Sequence, residues 1–488
     1  MGCVRAGLAA LWLLLVAGGC ASQGTVTAAL DDPTLIGTRW GLLAVALDGE
    51  IVAEVDADRR FSPASNTKIF TTAAAFALLD DLNQPGPDDG TSVRLEPSAG
   101  GGAPDLILIG AGDPSLGDGP NCVSTCLAEL ADATAAAVRR VGDVVGDDRL
   151  FPDERWGPGW AWDDLQEGYG TAVSALTVND NVVVLEVVPG ASVGSPVQAR
   201  WRTDDDILPL TNEAITADDG MADLRIERRP GGQGVRLYGR MPRSGAASAM
   251  RVGLDDPALA AAIRLRRLLE QRGVVVEGEV RARHRPLTLT DDPAARIGAP
   301  PTVVAEGTEI ARLTRPPLLA SLIRTTKVSQ NLHAELMLRR LGRLEGAGSL
   351  ADGLAQVQLV MAEAGVARAA FDLHDGSGLS TYNRVSPRAT TTFLLWTASQ
   401  PWGEAWRATL PVAGRDGALQ RRFIGTPLEG RVFAKTGTLS GVNAMAGFLT
   451  AASGRTIVFS IYANDRPSTA GSAVEAMDRT LLALAAHN

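Results

Sequence analysis

The sequence predicts an α+β fold, one antiparallel sheet packed by helices and interrupted by a long, mainly β-rich insertion. Three observations predict it. Two strand-like runs and a helical stretch lie near the start. Three strand-like runs and a helix close the chain. The region between, to about residue 300, holds short strands broken by many Gly/Pro turns. Strands and helices in separate blocks mark α+β layers rather than strict βαβ alternation. At 488 residues the chain exceeds one simple core and suggests two or three domains.

The elements follow in order. Arg5 and the apolar run Leu8–Ala17 have the length of a signal peptide, too short to span a bilayer. The run ends in Val16-Ala17-Gly18-Gly19-Cys20-Ala21, which resembles a lipobox with Cys20 as the lipidated residue. Ala17 stands where Leu is commoner, so cleavage to a soluble exported form is the alternative. Trp40–Leu47 and Ile51–Val55 read as strands joined by the turn signal Asp48-Gly49. Phe61-Ser62-Pro63-Ala64 leads to Ser65, and Asn66–Leu82 has helical periodicity. Asn83–Pro104 is rich in Gly, Pro and Asp and reads as a boundary. Beyond it come strand-like Leu106–Ile109 and Val182–Val188, with helices near Leu127–Arg140 and Pro257–Arg272. The terminal block resumes at about Glu309. Arg315-Pro316-Pro317 opens a helix to about Thr326, and Asn331–Leu341 is helical. Arg431–Thr438, Asn443–Thr450 and Thr456–Ala463 read as strands, and Ala470–Ala486 as a helix.

Composition excludes several functions. Net charge is −10 without a long basic run, so no electrostatic footprint for nucleic acid exists. Four His (His284, His333, His374, His487), no H-E-x-x-H and no clustered Cys/His argue against a catalytic metal. No phosphate-loop motif occurs, and no cofactor is expected. Export would place Cys122 and Cys126 in an oxidising compartment after loss of Cys3. A local disulfide, two free thiols or a redox site all fit that C-x-x-x-C spacing.

Of 46 basic residues only Lys68, Lys327 and Lys435 are lysines. A GC-rich genome accounts for the arginine excess but not for which lysines persist. A desolvated lysine can lose its proton and act as a base, which arginine cannot. Each lysine stands in a short polar motif: Ser65-Asn66-Thr67-Lys68, Lys327-Val328-Ser329-Gln330-Asn331 and Lys435-Thr436-Gly437-Thr438. Ser65 would lie at a helix N-terminus with Lys68 one turn on, on the same face. The free N–H groups there favour developing negative charge.

In order these motifs read S-x-x-K, S-x-N and K-T-G, the set of the penicillin-recognising serine acyl enzymes. Ser65 and Ser329 are 264 residues apart, and Ser329 and Lys435 are 106 apart. The first gap is too long for a plain β-lactamase. The chain resembles the low-molecular-mass class C penicillin-binding proteins, the D-alanyl-D-alanine carboxypeptidase/endopeptidase family, over roughly residues 38–486. Gly110–Leu116, Leu176–Asn181, Asp375–Ser380 and the lysine two residues before Ser329 fit as well. Gln330 departs from the usual Asp or Asn.

The resemblance implies a penicillin-binding/β-lactamase-like transpeptidase domain split over 38–87 and 306–488. It follows a signal peptide (1–19) and a linker (20–37). A second domain (88–177 and 262–305) is inserted in it, and a third (178–261) in the second. The resemblance implies Ser65 as nucleophile, Lys68 as its base with Lys435 lowering its pKa, and Ser329 as proton relay. Asn331 would bind the substrate amide, and Lys435, Thr436 and Thr438 the terminal carboxylate. Backbone N–H groups of Ser65 and Thr438 would hold the oxyanion. Expected partners are peptidoglycan stem peptides ending in D-Ala-D-Ala, β-lactams as inhibitors, and a membrane through the lipid at Cys20. The expected location is the bacterial envelope, facing the periplasm. A β-lactamase and a non-catalytic peptidoglycan-binding protein are the competing readings. Lys327 is as well explained by a structural ion pair as by a direct role. The Asp375–Ser380 loop either backs the site or is a tight glycine turn. Trp156, Trp160 and Trp162 fit core packing better than glycan binding.

Overall fold

The computed structural model describes residues 26–86, 89–98, 100–119, 122–203, 207–229 and 234–488. Cys20 and the leader lie outside them. Two compact units form. The first holds the chain up to Leu79, Leu322–Gln330 and Gln356–Asn488; the second holds Asp80–Ser321 and Asn331–Ala355.

The first unit is built on a five-stranded antiparallel sheet. Its strands are β1 (Arg39–Ala46), β2 (Ile51–Val55), β3 (Val432–Leu439), β4 (Val442–Thr450) and β5 (Thr456–Asn464), in the spatial order β3-β4-β5-β1-β2. The two ends of the chain therefore meet in one sheet. β1 and β5 pair along their length, from Arg39↔Asn464 to Ala46↔Ile457. Its helices are α1 (Thr67–Leu78), the end of α2 (Leu318–Lys327), α3 (Pro387–Ser399) and α4 (Ala473–His487). Successive strand residues face opposite sides. Leu42 and Ala44 of β1 join Met445, Phe459 and the α4 residues Met477, Leu481 and Leu484 in one core. Leu43 and Val45 face the other way, with Leu395 of α3 against them. Helices cover both faces, so β1 is buried from Trp40 to Ala46. α3 starts cleanly because Ser386 caps Ala389 N–H at 3.1 Å and Pro387 occupies the first turn.

The predicted antiparallel sheet packed by helices is thus present. α1 stops at Leu78, four residues before the expected end. Asp80 and Asp81 interrupt it, Asp81 at φ 52, and Leu82 belongs to the second unit, where its carbonyl accepts Leu319 N–H. Aspartate competes poorly for helix interior positions.

The second unit contains a mixed sheet ordered Val280–Arg283, Val144–Asp147, Asp105–Ile109, Ser92–Glu96 and Thr308–Arg312. The helices Leu127–Ala137 and Pro257–Gln271 pack on it through Leu127, Leu130, Ala261 and Leu265. Two smaller sheets, within 182–253, enclose a separate core around Leu185, Leu237 and Val252. The domain bounds need correction. Residues 38–87 and 306–488 were expected in the catalytic domain, yet Asp80–Ser321 and Asn331–Ala355 belong to the second unit, where Thr308–Arg312 pairs antiparallel with Ser92–Glu96. A short strand's own residues carry no signal for which sheet will take its edge.

Candidate active site

Ser65 sits in the 3-10 turn Ala64–Asn66 that runs directly into α1. Ala64 adopts φ 45 there, which aims the turn, and Thr67 Oγ1 ties back to Ala64 O at 3.0 Å. Lys68 follows one turn later. Its Nζ lies 2.9 Å from Ser65 Oγ and donates to Ser377 O at 2.5 Å. Lys68 is fully buried, as are Ala64, Ile69 and Phe70 of the same segment.

The Ser377 carbonyl is the partner that sequence reasoning missed. The Asp375–Ser380 loop that carries it is locked from both sides. Thr71 Oγ1 of α1 donates to Gly376 O at 2.8 Å. The buried Asp375 carboxylate accepts Gly378 N–H at 2.8 Å, Ser380 N–H at 2.6 Å and Asn383 Nδ2 at 2.7 Å. Gly378 has φ 86, and a Cβ there would stand 1.9 Å from Ala64 O. The loop is both things the sequence allowed, a glycine turn and a wall of the lysine pocket. The motif Asp-Gly-Ser-Gly was the available signal.

Lys435 is the second fully buried lysine. Its Nζ donates to Ser329 Oγ at 2.9 Å and to Thr436 O at 2.6 Å. Burial first, then the charge of Lys68, pushes the Lys435 ammonium well below the ordinary lysine range. Ser329 is held at φ 60. Asn66, with its amide oriented to satisfy both atoms, donates to Lys435 O at 2.9 Å and so joins the Ser65 turn to β3. Gly437 completes the approach. A Cβ there would lie 2.7 Å from Pro63 O and 3.0 Å from Ser65 N.

β3 is an edge strand, and among the described residues it pairs in register only with β4. Near its start, Val432 O and Ala434 N face outward to Ala413 N and Pro411 O. The two-residue period turns the backbone of Thr436 and Thr438 to the same outer edge. Thr438 is exposed and Thr436 half-buried.

The remaining predicted residues fall as follows. Asn331 opens the helix Asn331–Gly342 in the second unit, and its Nδ2 donates to Tyr169 O at 2.9 Å. Lys327 pairs with both oxygens of Asp416, at 2.8 and 2.7 Å. Cys122 and Cys126 are joined by a disulfide. Trp160 packs with Phe151, Val173 and Leu332, Trp156 Nε1 donates to Gly170 O, and Trp162 is 67% exposed. Among the described residues no cluster of three His, Cys, Asp or Glu side chains could hold a metal, and no helix is long and apolar enough to cross a membrane.

A hydroxyl on a buried lysine, a second lysine–serine pair and an open strand edge are the parts of a serine acyl-transfer enzyme that uses lysine where others use histidine. The chain belongs to the D-Ala-D-Ala carboxypeptidase 3 (S13) family, whose pattern matches residues 22–484. It is similar to the D-alanyl-D-alanine carboxypeptidase of Actinomadura sp. (strain R39), with 34% identity over 469 residues, 92% of this chain and 82% of that protein. Its fold is that of penicillin binding protein 4 from Haemophilus influenzae, at TM-score 0.77 and 24% identity over 94% of this chain and 98% of the other. A structure of the same Haemophilus protein complexed with a β-lactam matches at TM-score 0.72 and 22% identity, over 93% and 97%. The family read from the three motifs and their gaps is the family found.

Proposed function

We propose that this chain is a serine-type D-Ala-D-Ala carboxypeptidase and peptidoglycan DD-endopeptidase that works through an acyl-enzyme on Ser65 and binds penicillin. The observation that carries the reading is the pairing of Ser65 with Lys68 and of Ser329 with Lys435, both at 2.9 Å within one unit.

Lys68 takes the Ser65 proton as Oγ attacks the carbonyl between the two D-alanines. The oxyanion forms between Ser65 N–H and Thr438 N–H. The missing side chain of Gly437 and the outward backbone of Thr438 support this assignment. Ser329 gives its hydroxyl proton to the departing D-Ala nitrogen and is reprotonated from Lys68, directly or through Lys435, so that the proton taken from Ser65 ends on the amine. Lys68, neutral again, takes a proton from water as it attacks the ester and returns it to Ser65 as the acid leaves. The open edge at Thr436 and Thr438 takes the peptide as an added strand. The substrate's terminal carboxylate meets Lys435, Thr436 and Thr438, and its negative charge favours the ammonium form of Lys435. The role expected of Asn331, on the substrate side-chain amide, rests on the motif alone. Action in the periplasm and anchoring by lipid at Cys20 are part of the proposal, supported by the leader and lipobox-like sequence.

The test is intact mass after benzylpenicillin, with the adduct mapped by peptide, together with D-Ala release from a D-Ala-D-Ala peptide. A lasting adduct on Ser65 and released D-Ala are expected. Rapid drug loss without an adduct would make the protein a β-lactamase. Neither adduct nor drug loss would make the site non-catalytic.

A further inference from the structure

Lys327 is the one lysine that the chemistry above leaves unused, and its surroundings are specific. It ends α2, two residues before Ser329. Its ammonium directs donors to Leu410 O at 2.6 Å and to Asp416 Oδ1 and Oδ2 at 2.8 and 2.7 Å. Asp416 Oδ1 also accepts Val412 N–H at 2.9 Å. One residue earlier, Thr326 Oγ1 donates to Thr409 O at 2.5 Å. Gly417, at φ 56, lies so close that a Cβ would stand 2.5 Å from Lys327 O. The end of α2 is therefore pinned to segment 409–417 through side chain and backbone together.

That segment also holds β3. Ala434 N–H donates to Pro411 O, and Ala413 N–H to Val432 O, both at 3.0 Å. β3 carries Lys435, whose Nζ reaches back to Ser329 Oγ. The contacts close a ring from Lys327 through Asp416 and Val412 to β3, through Lys435 to Ser329, and back along the chain. Ser329 at φ 60 occupies a left-handed conformation that is strained for a non-glycine residue and persists only where its surroundings impose it. An ammonium suits the corner because its three donors can serve one carbonyl and one carboxylate at short range, which a planar guanidinium cannot match.

We infer that Lys327, through Asp416, is a positioning residue that holds the Ser329 hydroxyl on Lys435 for proton delivery to the leaving group. The inference rests on the proposed acyl-enzyme mechanism. It has a signature that general destabilisation lacks. An amide nitrogen must gain a proton to leave, whereas a thiolate, whose conjugate acid is far stronger than an amine, leaves without one. Misplacing Ser329 should slow peptide cleavage and spare thioester cleavage.

The experiment compares wild type, Lys327→Met and Asp416→Asn on an acylated peptide ending in D-Ala-D-Ala and on its analogue with thioglycolate as leaving group. For Lys327→Met the expected loss in peptide kcat is on the order of 100-fold, with KM and thioester kcat within about threefold of wild type. Asp416→Asn should shift the ratio in the same direction, and it decides the matter if Lys327→Met melts early. Equal losses on both substrates, or peptide turnover within about threefold of wild type, would overturn the role. A wild type that neither releases D-Ala nor takes a penicillin adduct would instead refute the enzyme reading. The two failures are therefore distinct.

Discussion

Gly378→Ala tests the architecture of the lysine pocket without touching a reacting group. Alanine at φ 86 costs about 1–2 kcal/mol by itself. The larger effect is steric. The new Cβ would stand 1.9 Å from Ala64 O, well inside the 3.0 Å that real Cβ contacts respect, so the loop or the Ser65 turn must retreat by roughly 1 Å. Ser377 O lies next in the chain and accepts from Lys68 Nζ at 2.5 Å. As Lys68 takes the Ser65 proton it becomes a charged donor to this carbonyl, a hydrogen bond worth about 1.5–3 kcal/mol, and losing it also lets the base drift from Ser65. Together these predict about 3 kcal/mol of lost transition-state stabilisation, or on the order of 100-fold in acylation rate. The assay is the second-order rate of benzylpenicillin adduct formation on Ser65, followed by intact mass, with a melting curve alongside. A folded variant that acylates within about threefold of wild type would show that the Ser377 carbonyl does not position Lys68.

Other expectations follow from the same geometry. Lys68→Arg keeps the charge but removes the base, so a folded variant should form no penicillin adduct; retained acylation would remove Lys68 from its role. Lys435 is depressed in the fold, so the unfolded chain binds more protons between its folded and unfolded pKa values, and stability from this group rises with pH across that window. Lys435→Met should therefore melt higher than wild type at neutral pH, narrow that gap as pH climbs towards about 10, and lose acylation. His284 shows the opposite sign. Hydrogen bonds to Asp148 and then Asp256 raise it to about 10, outweighing burial. Its contribution is complete below an unfolded pKa of about 6.5 and fades as pH rises through the folded value, so His284→Gln should cost ~1–2 kcal/mol at neutral pH and flatten alkaline stability loss in thermal melts.

Much of the site was legible because its parts are local. Ser65 and Lys68 are one turn apart, so a helical stretch starting near Asn66 is enough to put them together. The strand periodicity of 431–463 located β3, β4 and β5 within a residue or two, and the apolar pattern located the helices that begin at Leu127 and Pro257. The lysine count drew attention to three positions, two of which lie buried side by side with their serines.

Short windows of residues were enough for the motif set, through it the chemistry, and the elements nearest the motifs, since periodicity and motif grammar are written over a few residues; the helices Leu350–Glu363 and Pro387–Ser399 were not legible in this way. The tertiary structure alone decided which distant segments meet. It put β1 beside β5 across the length of the chain, gave Thr308–Arg312 to the second unit's sheet, brought the Ser377 carbonyl onto Lys68, and matched Lys327 with Asp416. It also decided that Lys435 is fully buried near the charge of Lys68, which lowers its affinity for a proton. The physical reason is common to all of these. A strand edge, a carbonyl or an ammonium accepts many partners equally well in isolation. Which partner it takes is set by burial and packing summed over the whole fold, a quantity no short window of residues contains.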